Sequence, residues 1–74
     1  MKLDSGFEIQ LVSNPQYEML TAEISFRGFC IAEIIQQEGD LLIKLDPSEL
    51  EIHSEFRLAD FQEALETARK RLLG

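Results

Sequence analysis

The residues with the widest chemical repertoire in this chain are His53, Cys30 and Glu33. His53 is the only histidine, and Glu51 and Glu55 stand two residues to either side of it. On an extended strand that spacing puts all three side chains on one face, where they could meet a cation or pass a proton. Zinc sites draw three or four His and Cys ligands, however, and the chain has one of each. A solvated polar strand face is the simpler reading. Cys30 lies in the apolar run Phe-Cys-Ile-Ala with no base beside it, so it reads as a small hydrophobe rather than a nucleophile. No Gly-x-Ser-x-Gly, glycine-rich phosphate loop or Cys-x-x-Cys occurs, and no cofactor is expected. Glu33 interrupts the apolar series Ile31–Ile35. A carboxylate there needs a partner, for which Lys44, Arg57 and Arg69 are the candidates.

Two surfaces suit a protein partner better than they suit catalysis. Glu49, Glu51, His53 and Glu55 alternate with Leu50, Ile52 and Phe56, so a strand would carry the charged set in a row. Successive members would stand about 6.5–7 Å apart, twice the rise per residue. Such a row could face a basic groove, or simply keep a strand edge solvated. The second surface is the semi-apolar face expected to hold Thr21, Ala32 and Ile34. One helix covers one face of a sheet, and the other face then wants a second protein. Two copies back to back are its simplest cover.

Composition narrows the classes. Seventy-four residues make one small domain, residues 1–74, with 45% hydrophobic and 28% charged residues, which is enough apolar matter for a core. Fourteen acidic residues against seven basic ones leave a net charge of −7. That disfavours nucleic acid and anionic membrane surfaces as direct partners. It suits a basic protein partner, which opposite charge would steer. The first residues lack the basic start and unbroken apolar core of a signal peptide, and a lone cysteine fits a reducing cytoplasm. In size, acidity and lack of motifs the chain is similar to immunity proteins, antitoxins and phage-encoded inhibitors as a broad class. This is a likeness of composition that carries no residue roles. The leading expectation is therefore a non-enzymatic protein that masks or inhibits a protein partner, such as a basic enzyme of nuclease type. The alternative is a structural or assembly module, either a homodimer or a small subunit of a larger complex.

The elements that must position these residues are read from periodicity. Alternation from Phe7 to Leu11 predicts a strand over 7–13, ended by the Asn14-Pro15 turn. Strands over 17–27 and 29–37 form a hairpin at Arg27-Gly28, with Phe26 facing Phe29 and Ile24 facing Ile31. This puts Glu33 on the apolar face and Thr21, Ala32 and Ile34 on the other. A fourth strand over 41–46 has two possible registers. A two-residue loop at Glu38-Gly39 sets Lys44 against Glu33, while a three-residue loop sets Ile43 against Ile35. The second is preferred because it gathers Leu41, Ile43 and Leu45 under the helix. A fifth strand is read over 50–58. Phe61, Ala64, Leu65, Ala68 and Leu72 form a helical stripe over 61–73, with Asp60 and Glu63 as a capping box. Residues 1–5 are expected to fray. The fold class is two-layer α+β, an antiparallel five-stranded meander covered by a C-terminal helix.

Overall fold

The computed structural model describes all residues, Met1–Gly74. Four strands form one antiparallel sheet in the order β1-β2-β3-β4: β1 Phe7–Val12, β2 Thr21–Phe26, β3 Phe29–Gln37 and β4 Asp40–Leu45. Two helices follow, α1 Pro47–Ile52 and α2 Leu58–Leu73. The α+β meander under a C-terminal helix is the architecture expected, with four strands in place of five.

Local chemistry explains the hairpins. Arg27 and Gly28 have φ of 50° and 89°, and Glu38 and Gly39 have 53° and 84°, so both turns have positive φ at both central residues. That is the type I′ geometry whose twist matches paired strands. The β3–β4 register therefore follows the two-residue loop: Lys44 lies opposite Glu33 and Ile43 opposite Ile34. The three-residue alternative is overturned. Val12 pairs with Thr21, so residues 13–20 form a loop and β2 starts at Thr21 rather than at residue 17. The Asn14 side chain opens this loop by accepting the Gln16 N–H at 2.9 Å.

The β2–β3 hairpin holds the main correction. Phe26 pairs with Phe29 and Ser25 with Cys30, but Ile24 pairs with Ala32. Ile31 is an extra residue on β3, a β-bulge that the alternation could not reveal. Beyond it the faces of β3 exchange. Ala32 and Ile34 turn towards the helix, and Glu33 turns away from it, so the apolar face carries no carboxylate. Ile31 itself is wholly buried.

The expected fifth strand is α1 followed by an irregular link. Asp46 is its N-cap, accepting the Ser48 N–H at 3.1 Å, the Ser48 hydroxyl at 2.7 Å and the Glu49 N–H at 3.3 Å. Pro47 starts the helix, where its missing N–H costs nothing. The run Asp46-Pro47-Ser48-Glu49 is thus a helix start that outweighs the alternation after it. Helix α2 begins at Leu58, three residues before the expected start. Its N-cap is Arg57, without a side-chain cap bond, so the Asp60–Glu63 capping box does not form. The expected α2 stripe is in place: Ala64 and Ala68 are buried, with Phe61, Leu65 and Leu72 packed on the core. The two alanines let the helix approach the sheet closely.

Most contacts of α2 are with β1 and β2, and those of α1 are with β3. The core joins Phe7 and Ile9 of β1 to Ala22, Ile24, Ala32 and Ile34. At one end Phe7, Phe26, Phe56 and Phe61 form an aromatic cluster, with centroids 4.9 Å apart for Phe7–Phe26 and 5.0 Å for Phe26–Phe56. The N-terminal residues do not fray. The Met1 amino group donates to the Ile9 carbonyl at 2.7 Å, and the backbones of Lys2 and Glu8 form an isolated antiparallel β-bridge. Gly6, at φ 100°, makes the turn back, and a Cβ there would stand 3.3 Å from the Phe26 ring. No helix is long and apolar enough to cross a membrane.

Candidate functional site

The structure disperses the expected acidic row. Glu49 and Glu51 lie on α1, His53 is its C-cap and Glu55 is exposed in the link to α2. Helical spacing replaces strand spacing, so the carboxylates do not stand in line. The His53 N–H donates to the Glu49 carbonyl at 2.9 Å. Its imidazole sits between two aromatic rings, with centroids 5.7 Å from Phe26 and 5.4 Å from Phe29. Its Nε2 and the Glu49 Oε2 are buried without a hydrogen-bond partner. No three His, Cys, Asp or Glu side chains are grouped to hold a metal ion.

The second expected surface is not a surface. Thr21, Ala32 and Ile34 are all buried, Ala32 and Ile34 because the bulge turns them inward. Thr21 lies on the opposite face and donates its hydroxyl to Glu33 at 2.8 Å. That bond supplies the partner Glu33 needs, while Arg69 pairs with Glu66 at 2.6 Å. Cys30 is exposed and not a core hydrophobe, and partial desolvation, followed by the charge of Glu23, pushes its thiol above its ordinary value. The thiol is thus kept protonated, the reverse of an activated nucleophile.

What the structure brings forward instead is β4. Every residue of this edge strand is exposed, including Leu41, Leu42, Ile43 and Leu45. Beside it, between β4 and α2, runs an open groove of about 540 Å³. Ile34 lies at its floor, Leu41 and Ile43 on one wall, and Leu65, Glu66 and Arg69 on the other. The cause is geometric. A helix is about 10 Å wide and strands are about 4.8 Å apart, so one helix covers roughly two strands. Helix α2 lies over β1 and β2, and nothing covers β4. Natural proteins usually blunt an edge strand with charge, proline or a bulge. Here Lys44 is the only cation on β4, among four large apolar residues.

The chain segment that contains β4 is acidic, while the α2 wall of the groove carries the Glu66–Arg69 ion pair. Residues 38–55 hold Glu38, Asp40, Asp46, Glu49, Glu51 and Glu55 against Lys44 alone, a net of −5 out of −7 for the whole chain. The Asp46 carboxyl is held below the ordinary aspartate range, chiefly by the Ser48 hydroxyl, so its charge persists into acid. β4 is thus an exposed apolar strand within an acidic stretch of the sequence. The chain matches no protein-family model, no curated protein and no solved structure.

Proposed function

We propose that this chain is a non-enzymatic binding protein that masks or inhibits a protein partner, with β4 and the adjoining groove as its contact surface. The observation that carries this reading is an exposed apolar edge strand set within a segment of net charge −5. Carboxylates around the strand steer a basic protein to it, and Leu41, Leu42, Ile43 and Leu45 hold that protein once docked. A basic enzyme of nuclease type, whose own substrate is anionic, fits this charge. An immunity or inhibitor role follows from occupying such a groove, and the lone Cys30 suits a reducing cytoplasm.

The test is affinity capture from the native cell. The wild-type chain should retain a basic protein that Ile43→Lys loses, and salt should weaken retention. Capture of nothing basic, or equal capture by both forms, removes the reading.

A further inference from the structure

We propose that the partner binds by strand addition: an extended segment of the partner pairs with β4 as a fifth strand and seats alternate apolar side chains in the β4–α2 groove. This rests on the masking function and names its mode. The backbone carries the argument. In the β3–β4 ladder Gln37 and Asp40 close the turn, and Asp46 N–H donates to the Ile31 carbonyl at 2.9 Å. Antiparallel pairs alternate between bonded and non-bonded, so Asp40, Leu42, Lys44 and Asp46 spend their backbone groups on β3. The N–H and C=O of Leu41, Ile43 and Leu45 then face the open edge. These are the same residues whose side chains, by strand alternation, lie on the groove side with Ile34. Leu41 and Ile43 line the groove, so an added strand finds its hydrogen bonds and its apolar contacts together at those two positions, and Leu45 extends the open edge beyond them, as in other strand-addition complexes.

Charge decides what the strand must be. The outer face of the edge presents Asp40 at one end and Asp46 at the other, with Leu42 and Lys44 between them. A second copy of β4 is a poor match. The antiparallel register that sets Asp40 against Lys44 of the other copy also brings the Glu38 turn alongside Asp46, and each copy adds a segment of net charge −5. The fitting segment has apolar residues at alternate positions, cationic residues at its two ends and an acidic or neutral residue opposite Lys44.

A synthetic probe tests this on the intact chain: acetyl-Lys-Ile-Glu-Val-Thr-Ile-Lys-amide, against a peptide of the same composition with its apolar residues grouped at one end. The alternating peptide should bind at least tenfold tighter. It should also slow amide hydrogen exchange at Leu41, Ile43 and Leu45, whose N–H groups are free in the unbound chain. Of its two alternately N-methylated forms, one should keep binding and the other lose it. Ile43→Pro should abolish binding while leaving the β3–β4 ladder intact, because only an outward N–H is removed. Should Ile43→Pro misfold, the N-methylated pair still decides. Equal binding of the grouped peptide, unchanged exchange at the three amides, or equal binding of both methylated forms overturns strand addition. So does a free protein that sediments as a dimer with those amides already protected, which makes a second copy the occupant. A natural partner that Ile43→Pro still captures overturns strand addition and leaves the masking function standing. Register-specific peptide binding with no basic protein captured supports strand addition and removes masking.

Discussion

Ile34 and Ile43 lie directly opposite each other in the β3–β4 ladder, yet Ile34 is 6% exposed and Ile43 is 47% exposed. The boundary of the hydrophobic core runs between them. Ile34→Ala should therefore cost about 2–4 kcal/mol, the range for emptying a buried isoleucine site. Ile43→Thr should change stability by less than about 1 kcal/mol, since a half-exposed edge residue forfeits little burial. Urea denaturation of the two variants checks the contrast. Equal losses would mean that β4 is covered in solution.

Helix α2 rests on the sheet through Ala64 and Ala68, both wholly buried. Their size sets the distance between the layers. Ala68→Leu adds volume where the backbone is close and should cost roughly 1–3 kcal/mol or more by overpacking. Thermal unfolding measures it. Retained stability would show that the helix can slide towards β4 and fill the groove.

The α2 stripe and the Arg27-Gly28 turn were legible because each is local, whereas the Glu38-Gly39 turn was placed but its length was not, since the apolar series Leu41, Ile43 and Leu45 favoured the longer loop. Apolar spacing marks the stripe, and a glycine closes each two-residue loop. The faces of β3 were not legible, because the extra residue Ile31 acquires meaning only from its pairing with β2. Glu33 looked like a blemish in the core for that reason alone. The segment after β4 carried two conflicting signals. Alternation over Leu50, Ile52 and Phe56 suggested a strand, and the Asp46-Pro47-Ser48-Glu49 start specified a helix. The capping bonds prevail, and Ile52 is left 72% exposed. The candidate site was missed because exposure of Leu41, Ile43 and Leu45 follows from how many strands one helix can span. The acidic flank was visible in the sequence, though its linear arrangement was not.

The Asp46 cap gives α1 a pH dependence of definite sign. Its folded pKa is depressed, so the capping contribution is fully present above the unfolded value of about 3.9 and fades as pH falls through the lower folded value. Protection of residues 48–51 against amide exchange, relative to the intrinsic rate at each pH, should fall in acid below that point, before the sheet opens. Asp46→Asn, which keeps an acceptor without the titrating charge, should flatten this dependence. A wild-type α1 equally protected at pH 3 and pH 6 would refute the assignment.

Cys30 provides a check on the non-enzymatic reading. Its thiol is pushed up by burial and by the charges of Glu23, Glu33 and Asp46. Alkylation by iodoacetamide should therefore rise with pH along a curve displaced above the free-cysteine value of about 8.5. Rapid alkylation at pH 7 would mark an activated thiol and reopen a catalytic reading.

The rim carboxylates should act on the rate of association rather than on its persistence. Glu38, Glu51 and Glu55 are exposed and flank β4 in sequence, so each is screened by solvent and contributes little once a complex has formed. At a distance their fields add, and a basic partner feels the net −5 of residues 38–55 before any contact is made. The triple variant Glu38→Gln, Glu51→Gln, Glu55→Gln should lower the association rate about tenfold at low ionic strength and leave the dissociation rate within about twofold. The difference should vanish near 0.5 M salt, where the screening length falls to roughly 4 Å. Ile43→Lys should show the opposite pattern, with faster dissociation at every salt concentration, because it damages the apolar centre. Surface plasmon resonance across a salt series, with the captured partner immobilised, separates the two. A triple variant that changes only the dissociation rate would place the carboxylates inside the contact and not around it.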